Sequence, residues 1–150
     1  MSAAKTLVQL LVILFTALAG VTEIVYTNHA LDSRNRTVNA EFLVAELESF
    51  FNNGGNCPQD GKCDQWQFWI CLDHNGKFSP HGKFLCQLKN NPKKWGGVVI
   101  GLKDKNPVVV TGYMGNWKYW QKMLFADKCF EVSVTAKLMK KIIEAITLIK

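Results

Sequence analysis

The chain predicts an α+β fold: one disulfide-stabilised domain with an N-terminal helix, an antiparallel sheet of about four to five strands and a C-terminal amphipathic helix. Three observations predict it. Trp66, Phe68, Ile70 and Leu72 alternate with Gln65, Gln67, Cys71 and Asp73, a period of two that puts one apolar row on one face of a strand. His74-Asn75-Gly76-Lys77 follows at once, and Asn-Gly between extended segments favours a type I′ hairpin because both central residues need positive φ. Segments with helical spacing lie on either side of this region, so runs of strands bounded by helices give an α+β domain with helices laid on one sheet.

Taken in order, the chain opens on Lys5 and an apolar run from Leu7 to Ala19 that is too short to span a bilayer. Ala17-Leu18-Ala19 has the small-x-small form of a cleavage site, so residues 1–19 read as a signal peptide and residues 20–150 as a single secreted domain. Asn35-Arg36-Thr37 is a glycosylation sequon, expected on an exposed loop. A helix then starts with Asn39 as its cap, carries Leu43, Leu47, Phe50 and Phe51 at helical spacing, and stops at Asn53-Gly54-Gly55. Glu46 and Glu48 mark its water-facing side.

After the first strand and its turn, the return strand is read over Lys83-Phe84-Leu85-Cys86-Gln87-Leu88. It begins only beyond Pro80, which has no N–H for a ladder and points to a bulge or a longer loop. Asn90-Asn91-Pro92-Lys93-Lys94 is a basic turn, and two strands follow over Gly97–Leu102 and Pro107–Thr111. Tyr113–Phe125 fits neither period cleanly and is read as a strand or a short helix. Cys129–Val134 alternates as a strand, and Leu138, Ile142, Ile146 and Ile149 form the stripe of the last helix, with Thr135 as its cap.

Five cysteines (Cys57, Cys63, Cys71, Cys86 and Cys129) follow the leader, where an oxidising compartment makes disulfides their default fate. Five is odd. The first four are expected to bridge among themselves, a short Cys57–Cys63 loop included, which leaves Cys129 free or linking two chains into a homodimer. Charge is asymmetric as well. From Gly20 to Asp73 three basic residues face eight acids, net −5, whereas from His74 onward fourteen face four, net +10. The later half therefore favours an acidic protein face or an anionic surface such as lipid headgroups or sulfated glycans; a nucleic-acid partner is not expected.

Candidate sites follow from these features. Trp95, Trp117 and Trp120 lie among Lys93, Lys94, Lys118 and Lys122, and an indole supplies apolar area with one donor, as protein hot spots need. Trp66 is assigned to the core. Lys137, Lys140 and Lys141 on an amphipathic helix would suit an anionic membrane. His74 and His81, with Lys77 and Lys83 near them, are the ingredients of acid and base transfer to a phosphoryl group. Cys57, Cys63, Cys71, His74, His81 and Cys86 include zinc-ligand types, but their spacings match no zinc motif and oxidised thiols cannot serve, so no metal or cofactor is assigned. No nucleophile elbow, phosphate loop, calcium loop or dinucleotide fingerprint is present, which weakens an enzymatic reading.

The expected function is that of a secreted, basic, non-enzymatic effector binding an extracellular receptor, channel or other protein, a class populated by venom, saliva and host-interaction proteins. A membrane-active antimicrobial protein and a small hydrolase or nuclease using His74 and His81 are the alternatives.

Overall fold

The computed structural model describes residues 34–103 and 106–132. Its elements run α1 (Arg34–Asn52), β1 (Cys63–His74), β2 (Lys77–Leu88), β3 (Asn91–Lys103), β4 (Asn106–Asn116), α2 (Trp117–Ala126) and β5 (Cys129–Val132). All strand pairs are antiparallel, in the order β4-β3-β2-β1-β5. The α+β class with disulfides thus stands. The expected leader, residues 133–134 of the last predicted strand and the expected C-terminal helix with Lys137, Lys140 and Lys141 lie outside the described residues.

Helix α1 begins at Arg34, so Asn39 is an internal helix residue rather than the cap, and the sequon at Asn35 falls in the first turn rather than on a loop. Its end is where turn chemistry places it. Gly54 and Gly55 adopt positive φ, and Gly55 N–H donates to Phe50 O at 3.0 Å. Ala40, Leu43, Val44, Leu47 and Phe50 form its buried stripe against Phe68, Ile70, Phe84, Val98 and Ile100 of the sheet. Within this core Phe68 meets Phe84 edge-on at 5.4 Å and Phe50 at 5.7 Å between ring centroids. Trp66 packs at the margin of this core, half-buried.

The Asn75-Gly76 turn has both residues at positive φ, 52° and 75°. Strand β2 starts directly after it at Lys77, earlier than Pro80 suggests, because a bulge absorbs the proline. Cys71 pairs with His81 and Asp73 with Phe78, so Ser79 and Pro80 together oppose Leu72. Strands β3 and β4 are also longer than their apolar cores suggest, since β3 starts at Asn91, opposite Leu88, and Lys94 to Gly97 pair with Asn116 to Tyr113.

The two described helices lie on opposite faces of the sheet, not together on one. From the β4 edge the chain crosses the second face as α2 and returns as β5 beside β1, at the other edge. The change from strand to helix occurs at Asn116, whose side chain accepts from Tyr119 N–H at 2.8 Å as an N-cap. Trp120 and Leu124 of α2 pack on Leu85 and Trp95, with Trp69 and Trp117 around them. This second core explains why Trp69 interrupts the first strand's apolar pattern: it points to the other face. It also explains why every residue of β2 from His81 to Cys86 is buried, since a central strand covered on both sides has no solvent face.

Two glycines permit the close approach of the helices. A Cβ on Gly97 would stand 2.3 Å from the Trp120 ring, and one on Gly112 would stand 2.6 Å from the backbone N of Ala40. Gly97→Ala is therefore expected to lift α2 from the sheet and destabilise the domain by ~1–3 kcal/mol. Urea denaturation followed by tryptophan fluorescence measures this, and a change within ~0.5 kcal/mol would show that the Trp120 seat does not hold α2.

The disulfides are Cys63–Cys86 and Cys71–Cys129. Cys129 is thus bridged and Cys57 is the free cysteine, the reverse of the sequence expectation, and no Cys57–Cys63 loop forms. The reason is topological: β5 returns beside β1, so Cys129 lies directly opposite Cys71 although 58 residues separate them. Each bridge contributes ~2–4 kcal/mol by constraining the unfolded chain.

Candidate functional site

Strand parity sends His81, Lys83 and Leu85 of β2 to the face beneath α2. Leu85 enters the second core. Lys83, two residues nearer the hairpin, carries its ammonium to a place where it is 3% exposed. A charge so placed needs a partner. Asp127, the C-cap of α2, supplies it: its Oδ2 accepts from Lys83 Nζ at 2.6 Å. The backbone of Asp127 is equally committed, for its N–H donates to Met123 O while its carbonyl accepts from Leu72 N–H at 3.2 Å and Asp73 N–H at 3.1 Å. One residue thus closes α2, satisfies β1 opposite the bulge and pairs the buried lysine.

His81 completes the cluster, and its tautomer follows from its partners. Ser79 O lies 2.7 Å from Nδ1 and can only accept, so Nδ1 bears the proton. Nε2 is then the acceptor for Lys83 Nζ, also at 2.7 Å. His81 is neutral in this arrangement, and its 3.3 Å approach to Asp127 Oδ2 is a contact between two acceptors. His74 stands at the mouth with its side chain 56% exposed and its Nδ1 3.4 Å from Asp127 Oδ2. The two rings lie edge to face, 6.2 Å apart.

Burial, then the Lys83 charge, hold the His81 imidazole below its ordinary value. Burial likewise lowers the Lys83 ammonium, against the hydrogen bond and charge of Asp127. For Asp127 burial acts upward, but the Lys83 hydrogen bond and charge, with His74 and His81 behind them, bring the carboxyl below its usual range.

These groups form the polar end of a cleft of about 330 Å³ between the sheet and α2. Val99, Val110, Trp120 and Met123 supply its apolar walls, and Thr111 lies beside Val99 across the β3–β4 ladder. The Thr111 hydroxyl is buried and is the one buried side-chain polar atom among the described residues that finds no hydrogen-bond partner. Trp120 fixes the inner wall: it is 1% exposed, and its Nε1–H donates to Trp95 O at 3.0 Å.

The structure brings His74, His81 and Lys83 together as their sequence proximity suggested; Lys77 stays exposed and pairs with His74 in the ladder. Trp95 and Trp120 are not surface residues. They are 6% and 1% exposed because they build the second core. Lys93, Lys94, Lys118 and Lys122 are exposed, and Trp117 is half-buried against Trp95 at 5.1 Å. Cys63, Cys71 and Cys86 are oxidised in pairs, and among the described residues no three His, Cys, Asp or Glu side chains are grouped as metal ligands. Burial raises the free Cys57 thiol, with Lys89 opposing.

Asp127 and Thr111 were not among the residues the sequence pointed to. Lys83 beside Phe84-Leu85-Cys86 is the one local signal of a buried charge; nothing in the order of residues shows that Asp127 meets it.

Fold and site define a class: a disulfide-stapled α+β domain whose sheet is covered on both faces, with a polar-ended cleft under the second helix. No family model, curated protein or solved structure matches the chain. No described helix is long and apolar enough to cross a membrane, and the two disulfides suit an extracellular, oxidising environment.

The shifts predict how stability follows pH. The unfolded chain binds a proton at the ordinary His81 value of 6.5, whereas the folded chain resists it, so stability falls as pH drops below about 6.5. Asp127 stabilises above its ordinary 3.8, and that contribution is lost as pH falls further through its lower folded value. The melting temperature should therefore descend in two steps on acidification. His81→Gln, whose Oε1 can still accept from Lys83, should remove the first step and leave the second; an unchanged first step would assign it elsewhere.

Proposed function

We propose that this is an extracellular, non-enzymatic binding protein that engages an acidic face of a protein partner through a basic corner around Trp117. One observation carries the reading. Lys94 pairs with Asn116 in the β3–β4 ladder, so Lys93 and Lys94 at the start of β3 adjoin Trp117 at the start of α2. Lys118 and Lys122, one turn apart on α2, extend the same charge, and all four lysines are exposed. A half-buried aromatic with exposed lysines on the two elements that meet beside it is hot-spot chemistry, and the charge accelerates encounter with an acidic surface.

The cleft supports binding over catalysis at His81. Both ring nitrogens and the Lys83 ammonium are engaged by internal partners. Labelled oxidised protein should bind intact cells saturably, lose that binding when the cells are treated with protease, and keep it after enzymatic removal of sulfated glycans. Lys118→Glu with Lys122→Glu should weaken the binding by about tenfold or more at unchanged melting temperature. Indifference to this reversal would remove the corner from the interface.

A second reading rests on His74, whose exposed ring is oriented by Asp127 in the manner of a general base. It requires RNA or ester hydrolysis that disappears in His74→Ala, and turnover equal to that of the unaltered protein would dismiss it.

A further inference from the structure

The cleft itself has chemistry that the basic corner does not use. We propose that it binds a small, uncharged molecule with a compact apolar body and a single hydroxyl or carbonyl group, which the Thr111 hydroxyl receives.

Four features select that ligand. The volume, about 330 Å³, lies at the small end of the ~300–1,000 Å³ typical of small-molecule sites. The walls are apolar: Val99, Val110, Trp120 and Met123 favour an aromatic or branched aliphatic body. The polar end is neutral as a unit, since Lys83 and Asp127 compensate each other at 2.6 Å and His81 is held as the neutral tautomer by Ser79 and Lys83. A charged ligand would give up its hydration without finding a free counter-charge, which selects against carboxylates and amines.

The fourth feature is the orphan hydroxyl. Thr111 is 5% exposed, lines the cleft and has no hydrogen-bond partner, whereas the other buried polar side-chain atoms of the described residues are satisfied. A buried hydroxyl left unpaired is a standing cost, which a ligand hydroxyl or carbonyl would relieve. Threonine both donates and accepts, so either group fits. Trp120 is fixed to Trp95 O and Lys83 to Asp127, which leaves the cleft preformed on one wall and at its polar end.

The test uses the oxidised protein and the neutral fluorescent probe N-phenyl-1-naphthylamine. Probe fluorescence should rise saturably and be displaced by 4-tert-butylphenol, with 4-tert-butylbenzoate at least about tenfold weaker. Thr111→Val, nearly isosteric, should weaken 4-tert-butylphenol by about fivefold to tenfold, the equivalent of one hydrogen bond, while leaving the probe within about twofold. Met123→Trp, which fills the cleft, should abolish both at an unchanged near-ultraviolet circular dichroism spectrum. Failure of the probe to saturate, equal displacement by the benzoate, or an unaltered phenol affinity in Thr111→Val would each overturn the proposal. Should Met123→Trp misfold, Thr111→Val decides alone. The outcome is independent of the basic corner, whose lysines line no part of the cleft.

Discussion

Asp127 is the residue on which the second face of this protein depends. Its carboxylate neutralises a lysine that strand parity forces into the interior, and its backbone both ends α2 and satisfies two N–H groups of β1 opposite the bulge. Breaking a buried ion pair from one side costs ~3–5 kcal/mol, because the remaining charge is stranded without water. The same loss would here loosen a helix end and a strand irregularity together. The Cys71–Cys129 bridge stands two residues beyond Asp127 and holds the same junction covalently, so α2 and β5 are anchored at their shared turn by an ion pair and by a disulfide.

A sheet with a helix on each face has two cores, and their characters differ. The face beneath α1 is built from aliphatic residues and phenylalanines in continuous contact, a structural layer with little polar content. The face beneath α2 is indole-rich and incomplete. Trp120 and Leu124 cover Leu85 and Trp95, but toward the hairpin end α2 stands over shorter residues and a polar cluster, and the uncovered space is the cleft. Gly97 lets Trp120 sit against the sheet backbone, so the same glycine that seats the helix also fixes the inner wall of the cleft. The shape of the cleft is consequently coupled to how α2 docks, and the lysines around Trp117 come from two elements, the start of β3 and α2.

Much of the fold is legible in the sequence. The Gln65–Asp73 alternation, the Asn75-Gly76 turn and the Asn53-Gly54-Gly55 stop are local signals, set by side-chain period and by backbone φ, and each appears where it was read. The bulge at Ser79-Pro80 was foreshadowed by a proline that cannot donate. Two of the departures share an origin. Cys129 is remote in sequence from the cysteine it meets, and Trp95 and Trp120 lie among lysines yet are buried; in both cases nearness along the chain is not nearness in space. The start of α1 was misplaced because its first turn, Arg34 to Thr37, is polar and carries no periodic apolar signal.

From the sequence alone came the α+β class, the central hairpin with its Asn75-Gly76 turn, the disulfide-forming character of the chain and its charge asymmetry, all properties of local period, composition and residue chemistry. The tertiary structure decided which cysteines meet, that α1 and α2 take opposite faces, and that Lys83 finds Asp127 while Thr111 finds no partner. These are pairings across 23 to 58 residues of chain for the disulfides and 44 for the ion pair. They are set by strand order and by which face each strand presents, quantities that arise only when the sheet closes and that no window of the sequence contains.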